Sequence, residues 1–285
     1  MRKAILSSLF AILVVVSASA QMADGDQHWA ARAEGHQGGR AKATSIDAAI
    51  TAYQKAIAQN PNDLEARWKL LRAIRFRGAY VAPSNDEKKR VYAMGKTAGE
   101  QALSVLDRQL SGKGLRSITK ATEKQVADAA RTLPGAAEIF FWDSAVWGEW
   151  ALAYGKMAAV REGAADRIKR EATIAMMIDP KIDGGGPARV LGRLHDQTPH
   201  VPFITGWASN REAVKFLNEA LKTDPSNKLT RLFLAEAMVD NNSDTKPQAI
   251  AMLKDVISSP GDPSWEVENA AAQEDARLLL KKWGA

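Results

Sequence analysis

Residues 175–194 read AMMIDPKIDGGGPARVLGRL, and this stretch decides the fold that the sequence predicts. A helix should end at Asp179, because a proline disfavours helical geometry at the residue before it. Three glycines at 184–186 then allow backbone angles that are closed to other residues. Pro187 suits the first turn of a new helix, where its missing N–H costs nothing. The stretch therefore predicts two helices that meet at a glycine corner.

Working outward from this corner, the chain repeats a spacing that is typical of the second helix of a tetratricopeptide repeat. Ala49, Tyr53, Ala56 and Pro61 show it first, with small residues that let a neighbouring helix approach closely. The spacing recurs at Ile168, Ala172, Ala175 and Pro180, at Ala213, Leu217, Ala220 and Pro225, and more loosely at Ala249, Leu253, Val256 and Pro260. Possible capping boxes start at Ser84, Thr122 and Ser209. We therefore expect an all-α fold, a degenerate tetratricopeptide-like helical-hairpin array (α-solenoid), with residues 44–285 forming one domain.

The N-terminus indicates export. Residues 1–20 combine a basic start, an apolar core and the small-residue site Ala18-Ser19-Ala20, which is the pattern of a cleavable signal peptide. Residues 21–43 are polar and glycine-containing, and we expect a flexible lead-in there. The chain has no cysteine, so it has neither disulfides nor a lipobox cysteine. We expect a periplasmic protein with no nucleic-acid partner, despite a net charge of +6.

An aromatic stretch provides the first candidate site. Phe140, Trp147 and Tyr154 share a helix face by spacing, and Trp150 lies beside them. An aromatic-lined cavity for an apolar ligand is one interpretation. Plain core packing is the other, since tryptophan is usually mostly buried.

The glycine corner provides the second candidate site. Gly184, Gly185 and Gly186 with Arg189 place free backbone N–H groups and a cation at a helix start, which favours a carboxylate or phosphate. The spacing fits neither a phosphate-binding P-loop nor a dinucleotide fingerprint. A purely structural corner explains the same residues. The sequence shows no convincing metal site, cofactor motif or catalytic triad.

Several motifs together resemble the TatT component family of TRAP transporters. They are residues 147–150, 177–180 and 184–194, Pro199, Gly206-Trp207, Ala213 with Phe216 and Ala220, and Ala235-Glu236. The resemblance implies an all-helical periplasmic protein with hidden tetratricopeptide repeats, a pore or cleft through the stack, and possible trimers. It also implies a partnership with the solute-binding protein of a TRAP transporter, which imports organic acids. The missing lipobox cysteine departs from the family pattern, and residues 108–133 have no counterpart.

Three functions follow in order of preference. The first is a non-catalytic binding and adaptor protein, with a solute-binding protein as partner and an apolar or carboxylate small molecule as ligand. The second is a general tetratricopeptide interaction scaffold of the cell envelope. The third is a periplasmic enzyme that would use His195, Asp196 and Glu149.

Overall fold

Thirteen α-helices make up the part of the chain that the structure, a computed structural model, describes, namely residues 18–201 and 205–285. They are α1 (18–30), α2 (Ala43–Gln59), α3 (Leu64–Phe76), α4 (Asn85–Ser111), α5 (Glu123–Ala130), α6 (Ala136–Tyr154), α7 (Lys156–Arg161), α8 (Ala164–Ile178), α9 (Ile182–Gln197), α10 (Asn210–Thr223), α11 (Lys228–Asn241), α12 (Lys246–Ser258) and α13 (Glu266–Trp283). Over these residues the one β feature is an isolated bridge between Gln37 and Arg40. The all-α prediction is confirmed.

The helices form two layers of antiparallel hairpins. In the inner layer, α3, α6, α9, α11 and α13 contact one another in succession. In the outer layer, α4, α8, α10 and α12 each pack between the first helix of their own hairpin and that of the next. This is the order of a tetratricopeptide-like array, in which each hairpin buries its apolar face against its neighbours.

The repeat spacing marks the residues on which the hairpins pack. Ala49, Tyr53 and Ala56 are completely buried in α2, and the equivalent residues of the other three copies are at most 3% exposed. Three of the helix starts use the caps that the sequence indicates. Thr122 forms a complete capping box with Gln125, whereas Ser84 and Ser209 accept only the backbone N–H three residues later.

The glycine corner folds as the sequence predicts, with one addition. Helix α8 ends at Ile178 with Asp179 as its cap, and α9 runs through a kink at residues 183–185. Gly184 and Gly185 have φ values of 63° and 83°, and Asp183 joins them in the left-handed region at 52°. Beyond the kink the backbone is regular helix with Pro187 near its start.

The prediction of a flexible lead-in at residues 21–43 differs from the structure. The segment carries most of α1 and a 3-10 turn at Ala31–Ala33, and it packs against the last helix. Arg32 is buried, and its Nη2 donates to the carbonyl of Ser264 at 2.5 Å and to Glu268 at 3.3 Å. Polar residues hold this segment through long-range contacts, which local sequence does not reveal.

Contacts of this segment with α13 also join the N-terminal and C-terminal ends of the array. The backbone N–H of Gly39 donates to Glu274 at 2.9 Å, and a Cβ on Gly39 would lie 2.6 Å from the Cα of Ala271. Val267 of α13 is completely buried in a core cluster with Ile46 of α2. The C-terminal helix therefore docks on the N-terminal hairpin.

The predicted signal peptide lies mostly in residues 1–17, outside the described residues. Its predicted cleavage site, 18–20, forms the beginning of the described part of α1. No helix within the described residues is long and apolar enough to cross a bilayer.

Candidate functional site

The aromatic helix α6 is mainly a packing element. Phe140 is completely buried in one core cluster, while Trp147 and Trp150 lie in a second cluster with Tyr92. The rings of Trp147 and Trp150 are 5.4 Å apart, and Tyr154 stacks on Trp150 at 4.7 Å. Of these four aromatic side chains, only Tyr154 reaches the surface, with 39% of its area exposed. The structure thus favours core packing over an aromatic-lined cavity.

At the glycine corner, Arg189 is already engaged. Its guanidinium bonds the carboxylate of Asp183, accompanied by bonds of 3.1 and 3.2 Å to the carbonyl of the same residue. A further contact of 3.3 Å reaches Thr230 of α11. Burial raises the pKa of Asp183, and Arg189 opposes this shift. An anion at this corner would have to displace Asp183, so the geometry favours the structural interpretation.

His195 also has a packing environment. Its ring is 5% exposed and lies between Trp207, at 5.2 Å, and Phe216, at 5.5 Å. The Nδ1 atom accepts the backbone N–H of Ser209 at 3.3 Å. Burial, with the nearby charge of Lys169, lowers the pKa of His195. His195 thus packs between two aromatic rings and accepts a backbone hydrogen bond, which is a structural environment.

The two carboxylates of the enzyme interpretation are paired with arginines. Glu149 accepts from Arg75 at 2.8 Å, and Asp196 accepts from Arg193 at 3.0 Å. Each acid therefore belongs to a separate ion pair of the inner layer, and neither is paired with His195.

A buried acid pair lies between α6 and α8. Arg167 donates to Asp143 at 2.8 Å and to Glu171 at 3.0 Å, and it lies over the ring of Trp147. Burial raises the pKa of Glu171 well above its usual range, and the charge of Asp143 adds to the shift. A Cβ on Gly99 would fall 1.7 Å from Asp143 Oδ1, so α4 needs glycine there. The two carboxylates thus share one arginine inside the core.

The inner layer contains an open cleft of about 360 Å³ between α9, α11 and α13. We call it the inner cleft. Its main lining residues are Arg193 from α9, Phe233 and Glu236 from α11, and Asp275, Leu278 and Lys282 from α13. A second cleft, of about 320 Å³, borders His200 and Asn210 at the end of α9.

One side of the inner cleft is internally satisfied. Arg193 donates to Glu236 at 2.7 Å as well as to Asp196, and its guanidinium lies 4.3 Å from the ring centroid of Phe233. These contacts link α9 to α11, and the ring of Phe233 makes this side of the cleft partly apolar.

The α13 side of the inner cleft is free to bind. Asp275 and Lys282 make no hydrogen bond or ion pair with any described residue, and Leu278 between them is 65% exposed. Burial, together with Glu274 and Glu236, raises the pKa of Asp275, so a cation brought beside it would be stabilised. Along α13 the cleft thus presents the carboxylate of Asp275, the exposed side chain of Leu278 and the amine of Lys282, in that order.

Sequence reasoning missed this cleft. Leu278, Asp275 and Lys282 lie in an ordinary amphipathic pattern on α13, and only the packing of the helices brings them into one cleft with residues of α9 and α11. The available signal is the run of three leucines at 278–280, because one face of a helix cannot bury three consecutive side chains.

Comparisons with known proteins add little. No protein-family model matches the chain, and no curated protein matches it. Among solved structures, the chain is similar to the crystal structure of yeast Tom70, with 14% sequence identity and a TM-score of 0.30. That alignment covers 93% of this chain and 65% of the Tom70 chain.

Proposed function

We infer that this chain is a non-catalytic binding and adaptor protein that takes a segment of a partner protein into the inner cleft. The observation that carries the proposal is the free face of α13, where Asp275, Leu278 and Lys282 lie unpaired in a cleft of the inner layer. Repeat arrays present such surfaces to partners, because the stacked hairpins supply stability without using this face.

The spacing of the free groups describes the segment. Asp275 and Lys282 are seven residues apart on one helix, which places them about 10 Å apart along its axis and on nearly the same face. A matching segment carries a basic side chain opposite Asp275 and an acidic group opposite Lys282. An apolar side chain between them covers Leu278 and the ring of Phe233.

The partner that we propose is the solute-binding protein of a TRAP-type transporter for organic acids, in the periplasm. The resemblance of the glycine corner at 184–194 to the TatT component family supports this choice, as does the predicted signal peptide at 1–20. A general interaction scaffold of the cell envelope would use the same cleft with a different partner.

A pull-down tests both the cleft and the partner. The protein without its predicted signal peptide is immobilised and exposed to periplasmic extract. It is compared with a double variant that carries Asp275→Asn and Leu278→Ser. The matched control carries Asp244→Asn and Met177→Ser, which change an exposed acid and an exposed apolar side chain outside the cleft. Both double variants change exposed groups, so both should fold.

We expect wild type and control to retain a solute-binding protein that the cleft variant loses. Removing one weakly screened charge and one leucine contact should weaken binding by about tenfold to about a hundredfold. Cleft-dependent recovery of another envelope protein would favour the general scaffold. Recovery of a partner that is equal for all three proteins would contradict the role of the cleft.

A further inference from the structure

Within the described residues, a second group of exposed apolar side chains lies far along the chain from the inner cleft, at the end of the α6–α8 hairpin. Leu152, Met157 and Val160 are 63%, 78% and 64% exposed, and Tyr154 is 39% exposed. Helix α7 has no buried residue. We call these four side chains the apolar platform. Large side chains with this exposure, clustered within nine residues, indicate a surface that is covered in function.

Two glycines set the platform apart from the hairpin. Gly155 and Gly163 flank α7 with φ values of 88° and 64°, and nothing lies within 4 Å of a Cβ on either one. Their role is therefore to turn the chain rather than to allow close packing. Ala158 and Ala159 pack α7 onto the cluster of Trp147 and Trp150, so its larger side chains stay outside.

Basic residues flank the platform. Lys156 and Arg161, at the two ends of α7, form no ion pair with any described residue. The acid that follows them is neutralised, because Glu162 binds Lys96 at 2.6 Å. On the neighbouring start of α4, Lys89 lies 5.8 Å from the ring of Tyr154. The surroundings of the platform thus carry an excess of positive charge.

The neighbouring acids on α4 do not reverse this balance. Glu87 is bound by Arg90 at 2.6 Å and by Arg77 at 3.3 Å, and Asp86 lies 3.9 Å from Lys89. Glu162, Glu87 and Asp86 therefore each have a basic partner. Within the described residues, Asp166 at the start of α8 accepts only from Trp207, and Lys156 and Arg161 remain unpaired.

We propose that the apolar platform inserts into the surface of a bilayer that contains anionic phospholipid. Aliphatic side chains on a projecting short helix, flanked by free lysine and arginine, match the combination of apolar burial and charge attraction that binds helices at a lipid interface. The platform would hold the protein at the membrane surface, where no helix of the described residues could span the bilayer.

Vesicle co-sedimentation tests the proposal with the processed protein, from which the predicted signal has been removed. Vesicles of phosphatidylcholine alone are compared with vesicles that contain about one third phosphatidylglycerol. One variant carries Met157→Ser and Val160→Ser, and a second carries Lys156→Gln and Arg161→Gln. The matched controls, Met177→Ser and Lys254→Gln, change exposed residues of the outer layer.

We expect binding to the anionic vesicles only, with each lost charge weakening it by about fivefold. The serine variant should lose binding, and the controls should retain it. The proposal is overturned if wild type ignores anionic vesicles at low salt, or if the serine variant binds them as well as wild type. Loss of a protein partner by the serine variant, without vesicle binding by wild type, would also overturn it in favour of a protein interface.

This test is separate from that of the inner cleft. The variant with Asp275→Asn and Leu278→Ser should bind vesicles normally, because the cleft lies between α9, α11 and α13. Failure of the platform proposal therefore leaves the cleft proposal standing, and the reverse also holds.

Discussion

Replacing Gly185 by alanine should destabilise the protein strongly, because two independent effects act at that position. Gly185 has φ +83°, and an alanine held in the left-handed region costs about 1 kcal/mol. Its Cβ would also lie 2.7 Å from the carbonyl oxygen of Ala220 and 2.9 Å from the Cα of that residue. Both atoms belong to the backbone of α10, so they cannot move aside as the end of a side chain could.

The magnitude follows from these two terms. Overpacking against a rigid neighbour costs about 1–3 kcal/mol. Alanine has fewer unfolded conformations than glycine, and this lower entropy of the unfolded chain offsets about 0.4–1 kcal/mol of the destabilisation. The free energy of unfolding should therefore fall by roughly 1–3.5 kcal/mol.

Gly148 provides the matched control for Gly185→Ala. It lies inside α6, its φ is not positive, and nothing is within 4 Å of a Cβ built on it. Gly148→Ala should thus stabilise the protein by about 0.5–1 kcal/mol, because alanine is the better helix former. The two identical substitutions are expected to act in opposite directions.

Urea unfolding followed by circular dichroism measures both variants. The slope of the transition must match that of wild type for the comparison to hold. If Gly185→Ala lay within about 0.5 kcal/mol of wild type, the left-handed kink and its contact with α10 would be refuted.

Two further predictions concern buried charges. Burial raises the pKa of Glu171 above its ordinary value of 4.5, so the folded protein holds this proton more tightly than the unfolded chain does, and stability falls as pH rises above that value. Glu171→Gln should remove this slope in unfolding experiments between roughly pH 5 and roughly pH 8, and an unchanged slope would contradict the assignment. Arg32→Met leaves the 10%-exposed side chain of Glu268 without its cation, at a cost of about 3 kcal/mol. Hydrogen exchange of residues 31–41 should then accelerate, and unchanged protection would argue against the closure of the array.

Local sequence rules were sufficient for the hairpins and for the corner. Pro180 ends a helix and Pro187 starts one for reasons that involve only neighbouring residues, and the structure confirms both. The buried positions at Ala49, Tyr53 and Ala56 follow from a short periodic pattern. Fold class was therefore predictable.

The closure of the array was not predictable in the same way. Arg32 and Gly39 lie in a polar segment that looks unstructured, and their partners on α13 are more than 230 residues away. A buried arginine is favoured only because Glu268 and a carbonyl satisfy it, and no local pattern encodes such a pairing.

The candidate site was predictable only in part. The sequence alone identifies Trp147 and Trp150 as large apolar groups. Only their packing against each other in the structure distinguishes a core from a cavity. The sequence leaves open whether Arg189 faces an anion or serves a structural corner, and in the structure it binds Asp183, which has a left-handed backbone. The inner cleft arises from three helices that lie far apart in sequence.

Cross-linking mass spectrometry of the protein bound to its captured partner tests the central claim most directly. The account predicts cross-links from the partner to Lys282, at the edge of the inner cleft, and their loss when Asp275 and Leu278 are replaced. Cross-links that instead concentrate on Lys222 of the outer helix α10, and that survive those replacements, would contradict it.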